Sequence, residues 1–588
     1  MFQQVDNPVG GSLALSALVA SLPLLTLFVL LGALRWKAWQ AGLASLVVAL
    51  GVAIFAFGMP AGQALLAASE GAAFGLFPII WIVLTAIWIF RMTELTGYDL
   101  VLRRAFGSLS PDQRIQAIII AFCFGALLEA LAGFGTPVAV TAVMLIAVGI
   151  SPIKAASVAL VANTAPVAFG AIAVPITTLG KITGLDPNLL GAMVGRQTPV
   201  LAIFVPLILV LMVDGLRGVR QTWLAALVGG LAFSIAQFLS SNFFNYQVAD
   251  IIAALAGALA LVLLLRVWQP SEIVAAEAPI EIRSGDNAGS LVPAGRPGSG
   301  SAGTGNNSSG GNNPGSDNSG GGAVSAGSGP VSKREALLAF APYLIVVGLF
   351  TLVSFGPLKE FLEGTPGDPN NPAHSGWKFA WPGLEVLNSA GQPLTASTYN
   401  FNLFTAGGTV LLIAGILTAA VYRISVRRAF AALIAVIVQL KWTILTVVAV
   451  LALSYVMNFS GQTVTLGLAL AATGGFFAFL SPVVGWIGVA VTGSDTSANS
   501  LFGLLQTTAA TKTGISPYLL AAANTSGGVL GKMISPQNLA IAAVVVGMEH
   551  KEHLLLRKVI WWSLGLLFGM CVLVYLQSTP VLGWMVVS

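Results

Sequence analysis

Histidine and cysteine are almost missing from this sequence, with three of the one and two of the other in 588 residues. Cys123 and Cys571 both fall inside apolar runs, so neither a disulfide framework nor a cysteine metal site has support, and structural thiols are the plain reading. His374, His550 and His553 fall in predicted loops, which excludes a histidine proton relay among the apolar segments. An intramembrane enzyme would need a nucleophile and base or a metal-ligand cluster; the sequence offers neither, and reads as a non-enzyme that requires no metal and no cofactor. Charge is the third shortage. Asp, Glu, Lys and Arg make up 8% of the chain against 56% hydrophobic residues, and a mean hydropathy of +0.88 lies outside the composition of a soluble domain. The formal charge of +5 does not argue for nucleic acid, because the basic residues sit mostly in short loops between apolar runs, where they set the orientation of membrane helices. The partner implied is the lipid bilayer.

What the sequence has in quantity is long apolar runs. About 20 residues cross roughly 30 Å of hydrocarbon as a helix, and about a dozen stretches qualify. The predicted fold is an all-α polytopic membrane protein with about 12 transmembrane helices plus two re-entrant hairpins. The first span, 13–34, ends at "RWK", which puts that end in the cytoplasm and the N-terminus outside; its length and the basic residues after it argue against a removable signal peptide. Spans at 38–57 and 73–90 follow, then the basic segment "RMTELTGYDLVLRRAFGSLSPDQR", cytoplasmic and expected to hold an amphipathic surface helix. Residues 114–150 carry two apolar arms of about 15 residues around "AGFGTP"; each reaches only about 22 Å, so the segment is read as a re-entrant hairpin on the cytoplasmic side. Spans at 152–180, interrupted at "NTAPVAFG", and 190–213 complete a first repeat, 1–214. Two connecting spans, 222–240 and 249–266, occupy 215–268.

Residues 269–333 are rich in Gly, Ser and Asn and cannot bury enough apolar surface to order themselves, so a disordered cytoplasmic linker is expected. From 334 to 588 the plan recurs the other way up. Spans at 336–356, 402–422 and 441–458 enclose an external loop at 357–400; an outer-side hairpin at 476–512 has its tip at "TGSDTS"; a broken span at 514–547 and a last span at 559–577 leave the C-terminus outside. Two passages agree in register, "NTAPVAFGAIAVP" from Asn163 and "NTSGGVLGKMISP" from Asn524, and "GISP" precedes both, at Gly149 and Gly514. Halves that begin on opposite sides of the membrane form an inverted repeat. Bare backbone polar groups are not tolerated in hydrocarbon, so the two tips and the two broken spans are expected to meet around one enclosed cavity, where half-helix N-termini offer N–H groups to a carboxylate or similar anion. Small residues that let helices pack closely are the plainer account of one such motif; two in register, each beside a hairpin, favour a transport site.

Three ionisable residues lie within apolar segments and away from span ends: Glu129 before the first tip, Asp495 within the second, and Lys532 just beyond the second break. Such groups are expensive in a bilayer and are functional candidates by default. Each has a bland account: Glu129 as a neutral buried acid, Asp495 as the cap of a half-helix, Lys532 as a partner of either carboxylate. Arg196 and Lys441 lie near span ends and are read as snorkelling to the interface. If protons are carried, Glu129 and Asp495 are the candidate carriers.

The passages "SPDQR", "FCFGALLEALAGFGTPVA", "NTAPVAFGA", "GRQTP", "AQFLSSNF", "LTGSDTSAN" and "AANTSGGVLGKMISPQ" make the sequence resemble the bacterial lactate permease family over nearly the whole chain, with departures in the 269–333 linker and the 357–400 loop. The resemblance implies a secondary transporter of the bacterial inner membrane that takes up L-lactate, and also D-lactate and glycolate, driven by the proton gradient. More coarsely, the hairpin-plus-broken-helix plan is similar to the ion transporter superfamily, which implies a transport domain that moves against a scaffold as an elevator. On that footing Lys532 and the amides near Thr136 and Thr496 hold the substrate carboxylate, with Gly133 and Gly135 among the contacts at the first tip. Asn163, Thr164, Ser494, Asn524, Thr525 and Ser526 supply hydrogen bonds, and Glu129 or Asp495 takes up the proton. A lactate anion entering a negative-inside cell works against about 2.3 kcal/mol per 100 mV, a cost that one accompanying proton removes. Two other readings stay open: a sodium-coupled transporter of a larger carboxylate, since "TGSDTS" and "NTSGG" offer oxygens suited to a hard cation, and a passive anion channel.

Overall fold

A computed structural model describes residues 1–133, 135–274, 331–354, 358, 362, 376–394, 397–403, 405–548 and 551–587. Most of the expected linker, much of the 357–400 loop, His374 and His550 lie outside these described residues. The chain opens with a short strand, β1 (Phe2–Gln3), and α1 (Leu13–Ala33), whose first turn is capped by the Ser12 hydroxyl accepting from the Leu15 amide. After α2 (Ala38–Ala56) comes α3 (Ala61–Thr96), which contains the expected span 73–90. It bends at Phe77, where φ −136° and ψ 123° are extended because the ring of Pro78 excludes the helical conformation from the residue before it. α4 (Tyr98–Gly107) occupies the place of the expected amphipathic helix, burying Val101, Leu102 and Phe106 and pairing Asp99 with Arg103 one turn on at 3.4 Å.

α5 (Gln113–Ala132) and α6 (Thr136–Ala147) pack against each other across a break at Gly133–Gly135, where Gly135 takes a φ of 86° that a side chain would resist. The arms have 20 and 12 residues, which corrects the expected pair of 15. At about 30 Å the first arm is long enough to cross a bilayer. Its whole apolar window is nevertheless buried inside the protein. Arg114, placed in a cytoplasmic loop by the sequence, is fully buried at the foot of α5. It donates to Asp112 at 2.7 Å, Asp214 at 3.1 Å, Gln221 at 2.5 Å and the Glu272 carbonyl at 2.6 Å. Burial alone pushes the Asp112 carboxyl up, but hydrogen bonds from the Arg114 side chain and from the amides of Val274 and Arg114 outweigh it and hold the group below its ordinary value.

α7 (Pro152–Ala162) and α8 (Val167–Thr183) are the first broken helix, bent by 61°. The break begins at Asn163 and ends in a left-handed turn, with φ of 46°, 57° and 53° at Ala171, Ile172 and Ala173. α9 (Pro187–Val194) and α10 (Thr198–Ala202) lead into α11 (Val205–Phe243), which Gly215, at φ 65°, divides between the expected spans 190–213 and 222–240. α12 (Ala249–Leu265) and α13 (Lys333–Ser354) follow. Three strands come next, β2 (Gly376–Ala380), β3 (Val386–Leu387) and β4 (Thr398–Asn402). β2 pairs antiparallel with β4, and β3 pairs in parallel with β1, so the all-α expectation is corrected by short strands that tie the N-terminus to the segment after α13.

α14 (Gly407–Val421) precedes α15 (Val426–Ser460), a 35-residue helix that begins well ahead of the expected span 441–458 and holds Arg427 and Arg428 in its first turn. After the short α16 (Gln462–Ala471), α17 (Phe477–Thr492) and α18 (Asp495–Thr513) form the second hairpin around Gly493 and Ser494. α19 (Pro517–Gly531) runs unbroken through Asn524 and Thr525; the break before α20 (Pro536–Val545) falls at Lys532–Ser535. The two register-matched motifs therefore differ in backbone, Asn163 ending a helix and Asn524 lying inside one. α17 and α19 approach so closely that a side chain at Gly485, Gly527 or Gly531 would run into the backbone carbonyl of Asn524, Pro482 or Trp486. α21 (Glu552–Gln577) closes the chain, with His553 in its first turn rather than in a loop.

Helices lie in each expected span, but 152–180, 190–213 and 514–547 are each built from more than one, and 402–422 opens on β4 with its 15-residue helix starting only at Gly407. Among the described residues eleven helices are long and apolar enough to cross a membrane, or twelve with the bent pair, and the chain is a multi-pass membrane protein. The eleven include one arm of each hairpin, Gln113–Ala132 and Gly474–Thr492.

Candidate functional site

Both hairpin tips, the turn that opens α8 and the break before α20 line one cavity of about 950 Å³. Each of these segments is a place where the helical ladder stops, and the freed backbone groups find partners locally. The Lys532 carbonyl, for example, accepts from the Asn538 side-chain amide and the Ser535 hydroxyl, both at 3.0 Å.

In the cavity wall Lys532 donates to Glu129 Oε1 at 2.5 Å, and both side chains are almost fully buried. α5 brings Glu129 to the tip, and the 3-10 turn after α19 brings Lys532. Glu129 fits because two glycines make room for it: a Cβ on Gly170 would stand 3.0 Å from its Oε1, and one on Gly133 3.2 Å. Its second oxygen has no hydrogen-bond partner. Asp495 also lines the cavity, buried and with neither carboxylate oxygen partnered. It is not the cap of its half-helix: Ser494 fills that role, accepting from the Ser497 amide at 3.2 Å. Two acids and one cation thus share a wall with little water access.

Of the residues expected at the site, Glu129, Gly133, Ser494, Asp495, Thr496 and Lys532 line the cavity. The others lie off its wall. Gly135 packs against Ile541 and Asn538, with Thr136 following it at the start of α6. Asn163 is buried with both amide atoms unpartnered, and the Thr164 hydroxyl donates to the Val161 carbonyl at 2.7 Å. Asn524 and Thr525 belong to a buried network centred on Asn499, which donates to Thr525 Oγ1 at 2.8 Å and to the Pro175 carbonyl at 3.1 Å and accepts from Asn524 at 2.9 Å. Ser526 donates to Gln197 at 2.7 Å. Arg196 is half-buried and donates to Asn242 at 2.8 Å and to the Met585 carbonyl at 2.9 Å. Lys441 lies within α15, its ammonium 5.4 Å from the ring centroid of Trp442.

Sequence reasoning missed three groups. The cavity mouth is aromatic and more basic than acidic, with Arg35, Lys37, Glu552, His553 and a stacked Trp39–Trp442 pair at 5.1 Å. Asn499 is one helical turn past Asp495, a spacing that could have marked it. Asp250 is fully buried, yet as the second residue of an apolar run it fell outside the set of ionisable residues away from span ends.

The L-lactate permease family model matches residues 16–581. The glycolate permease GlcA of Escherichia coli (strain K12) is 40% identical over 99% of each chain, and the L-lactate permease of Bacillus subtilis (strain 168) is 39% identical over 99% of each. Among solved structures, the Alcanivorax borkumensis YdaH transporter aligns at 16% identity and a TM-score of 0.40 over 84% of each chain, a distant likeness. With this match end to end, the chain belongs to the L-lactate permease family and is a permease rather than an enzyme.

Proposed function

We propose that the protein imports L-lactate, and also D-lactate and glycolate, across the bacterial inner membrane with one proton per anion. The relatives named as glycolate and L-lactate permeases support the substrate class, a small 2-hydroxy acid. The observation that carries the coupling is the Glu129–Lys532 pair in the cavity wall. With Glu129 and Asp495 both ionised, the wall holds two negative charges against one positive, and a further anion would enter against them. A substrate carboxylate that takes Lys532 must displace Glu129, and a buried carboxylate that loses its cation is stabilised by a proton. Binding of anion and proton are thereby linked at one cation.

In this reading Lys532 and the first turn of α18 at Thr496 hold the carboxylate, Ser494 takes the 2-hydroxyl, and Gly133 lets the ligand approach the first tip. Asn163, Thr164, Asn524, Thr525 and Ser526 support the frame from behind. The net-basic mouth faces the cytoplasm by the positive-inside rule, so the cavity is in its inward-open state and both termini lie outside. The halves act as an inverted repeat with re-entrant hairpins from opposite faces, and the hairpin-bearing part moves as an elevator.

Purified protein in proteoliposomes tests this. Uptake of labelled L-lactate is expected to rise with an inward proton gradient, to be competed by D-lactate and glycolate, and to carry no current. Uptake that requires sodium at fixed pH, or that generates current in proportion to substrate, overturns the proton-symport reading.

A further inference from the structure

Off the cavity wall, a third acid is buried. Asp250 opens α12, which packs against α5 and α11, and its side chain is 1% exposed. Its Oδ1 accepts from the Gln237 side-chain amide of α11 at 2.8 Å, and its Oδ2 has no partner. The stretch of α5 on which α12 packs, Gly125–Ala132, is the one that carries Glu129.

Gln237 is itself held in place, its amide nitrogen 3.5 Å from the Ala165 carbonyl at the bend after α7 and its oxygen 3.4 Å from the Thr198 hydroxyl. The residue before Thr198 continues the polar line: Gln197, fully buried, donates to Gln577 at 3.1 Å, and Gln577 donates to the Arg196 carbonyl at 3.3 Å. Arg196 reaches Asn242 and Met585 near the end of the chain. The direction of this line is set by α21, which begins at the cavity mouth with His553 and ends at Gln577. Its 26 residues span about 39 Å. The buried polar side chains from Asp250 to Gln577, and half-buried Arg196 beyond them, therefore lead toward the face opposite the mouth.

An acid in the first turn of a helix is often a favourable partner of the helix dipole and nothing more. That account leaves unexplained why this one is buried and half unpartnered on a helix packed against the segment that bears Glu129. We propose that Asp250 is the proton's entry station, loading Glu129 from the face opposite the cavity. The step rests on the proton-symport reading. When a substrate carboxylate draws Lys532 away, the O–H bond of protonated Asp250 breaks, its proton passes through water to the Glu129 carboxylate and forms the O–H bond there, and Asp250 is left as a carboxylate. Water at the opposite face restores its proton. Asp250 is in this sense a proton-handling residue that does not touch substrate, and Gln237 positions it.

The test uses full-length protein in proteoliposomes and two assays: exchange of labelled L-lactate against unlabelled, which needs no net proton movement, and accumulation driven by an inward proton gradient. Asp250→Asn is expected to exchange within about twofold of the parent while gradient-driven accumulation falls about tenfold or more, and Asp250→Glu is expected to restore accumulation. Accumulation by Asp250→Asn equal to that of a parent that does concentrate lactate overturns the role of Asp250 and leaves proton symport standing. Equal loss of exchange and accumulation in Asp250→Asn, with Asp250→Glu no better, makes Asp250 a structural acid and also overturns the proposal. A parent that does not respond to the proton gradient overturns both readings.

Discussion

At Lys532 the energetics of two buried charges decide what a substitution can reveal. Removing one partner of a buried ion pair leaves the other uncompensated, at a cost of about 3–5 kcal/mol, whereas replacing both by neutral groups of similar size is often close to neutral. Lys532→Ala is therefore expected to lower the Tm in detergent as well as to lose substrate, so its lost transport is ambiguous. The double variant Glu129→Gln/Lys532→Met separates the two effects: its Tm is expected within a few degrees of the parent, with no lactate binding by calorimetry. Parental affinity in the double variant removes Lys532 from the ligand shell. Gly170 gives a gentler probe, because a methyl group there would stand 3.0 Å from Glu129 Oε1 and 3.1 Å from its Cγ. Glu129 gives way only by disturbing the bond to Lys532, and a small misplacement of a site group is costly, so Gly170→Ala is expected to cut kcat/KM of uptake by about tenfold or more with little change in Tm. Unchanged uptake means that the carboxyl tolerates displacement.

Among the elements, the left-handed turn at Ala171–Ile172–Ala173 inverts an ordinary rule of helices. Ala→Gly in a right-handed helix interior costs about 1 kcal/mol, but a non-glycine residue in the left-handed region is itself penalised by about 1–2 kcal/mol. Ala171→Gly is expected to leave the Tm unchanged or raise it, while Ala159→Gly, inside α7, lowers it; a drop of similar size in both denies that the turn is strained. No sequence pattern announces such a turn, since its residues are ordinary helix formers between Gly170 and Pro175. The helices themselves were legible for a simple reason: apolar runs of about 20 residues have one stable form in lipid. Their ends were not, because polar residues that extend a helix beyond the hydrocarbon cost little, as Arg427 and Arg428 do at the start of α15. The same limit hid the length of α5 and the continuity of α19 through "NTSGG", where glycines that look like breaks serve close packing on α17.

Across the whole molecule, every charged residue expected at the site lines the cavity, whereas of the neutral ones only Gly133, Ser494 and Thr496 do. A charge inside an apolar run is rare enough to stand out, so Glu129, Asp495 and Lys532 could be named from sequence, and all three line the cavity. Asparagines and threonines satisfy one another in many arrangements, and register alone could not tell that Asn524 and Thr525 turn toward Asn499. The cavity opens at Arg35, Lys37 and His553, while the strands that hold the N-terminus and the far end of α21 belong to other parts of the surface. A carrier that opens to one side at a time makes this asymmetry measurable. Cys123 and Cys571 are buried, so a single new thiol on the wall is a reporter against a quiet background. Val491→Cys, near the second tip, is expected to react with an impermeant thiol reagent from the face that carries Arg35 and Lys37, and glycolate is expected to slow that reaction. Under an inward proton gradient with lactate present, reactivity from the opposite face is expected to rise as the site turns over. Equal labelling from both faces without substrate indicates a continuous pore, and with it a channel rather than a carrier.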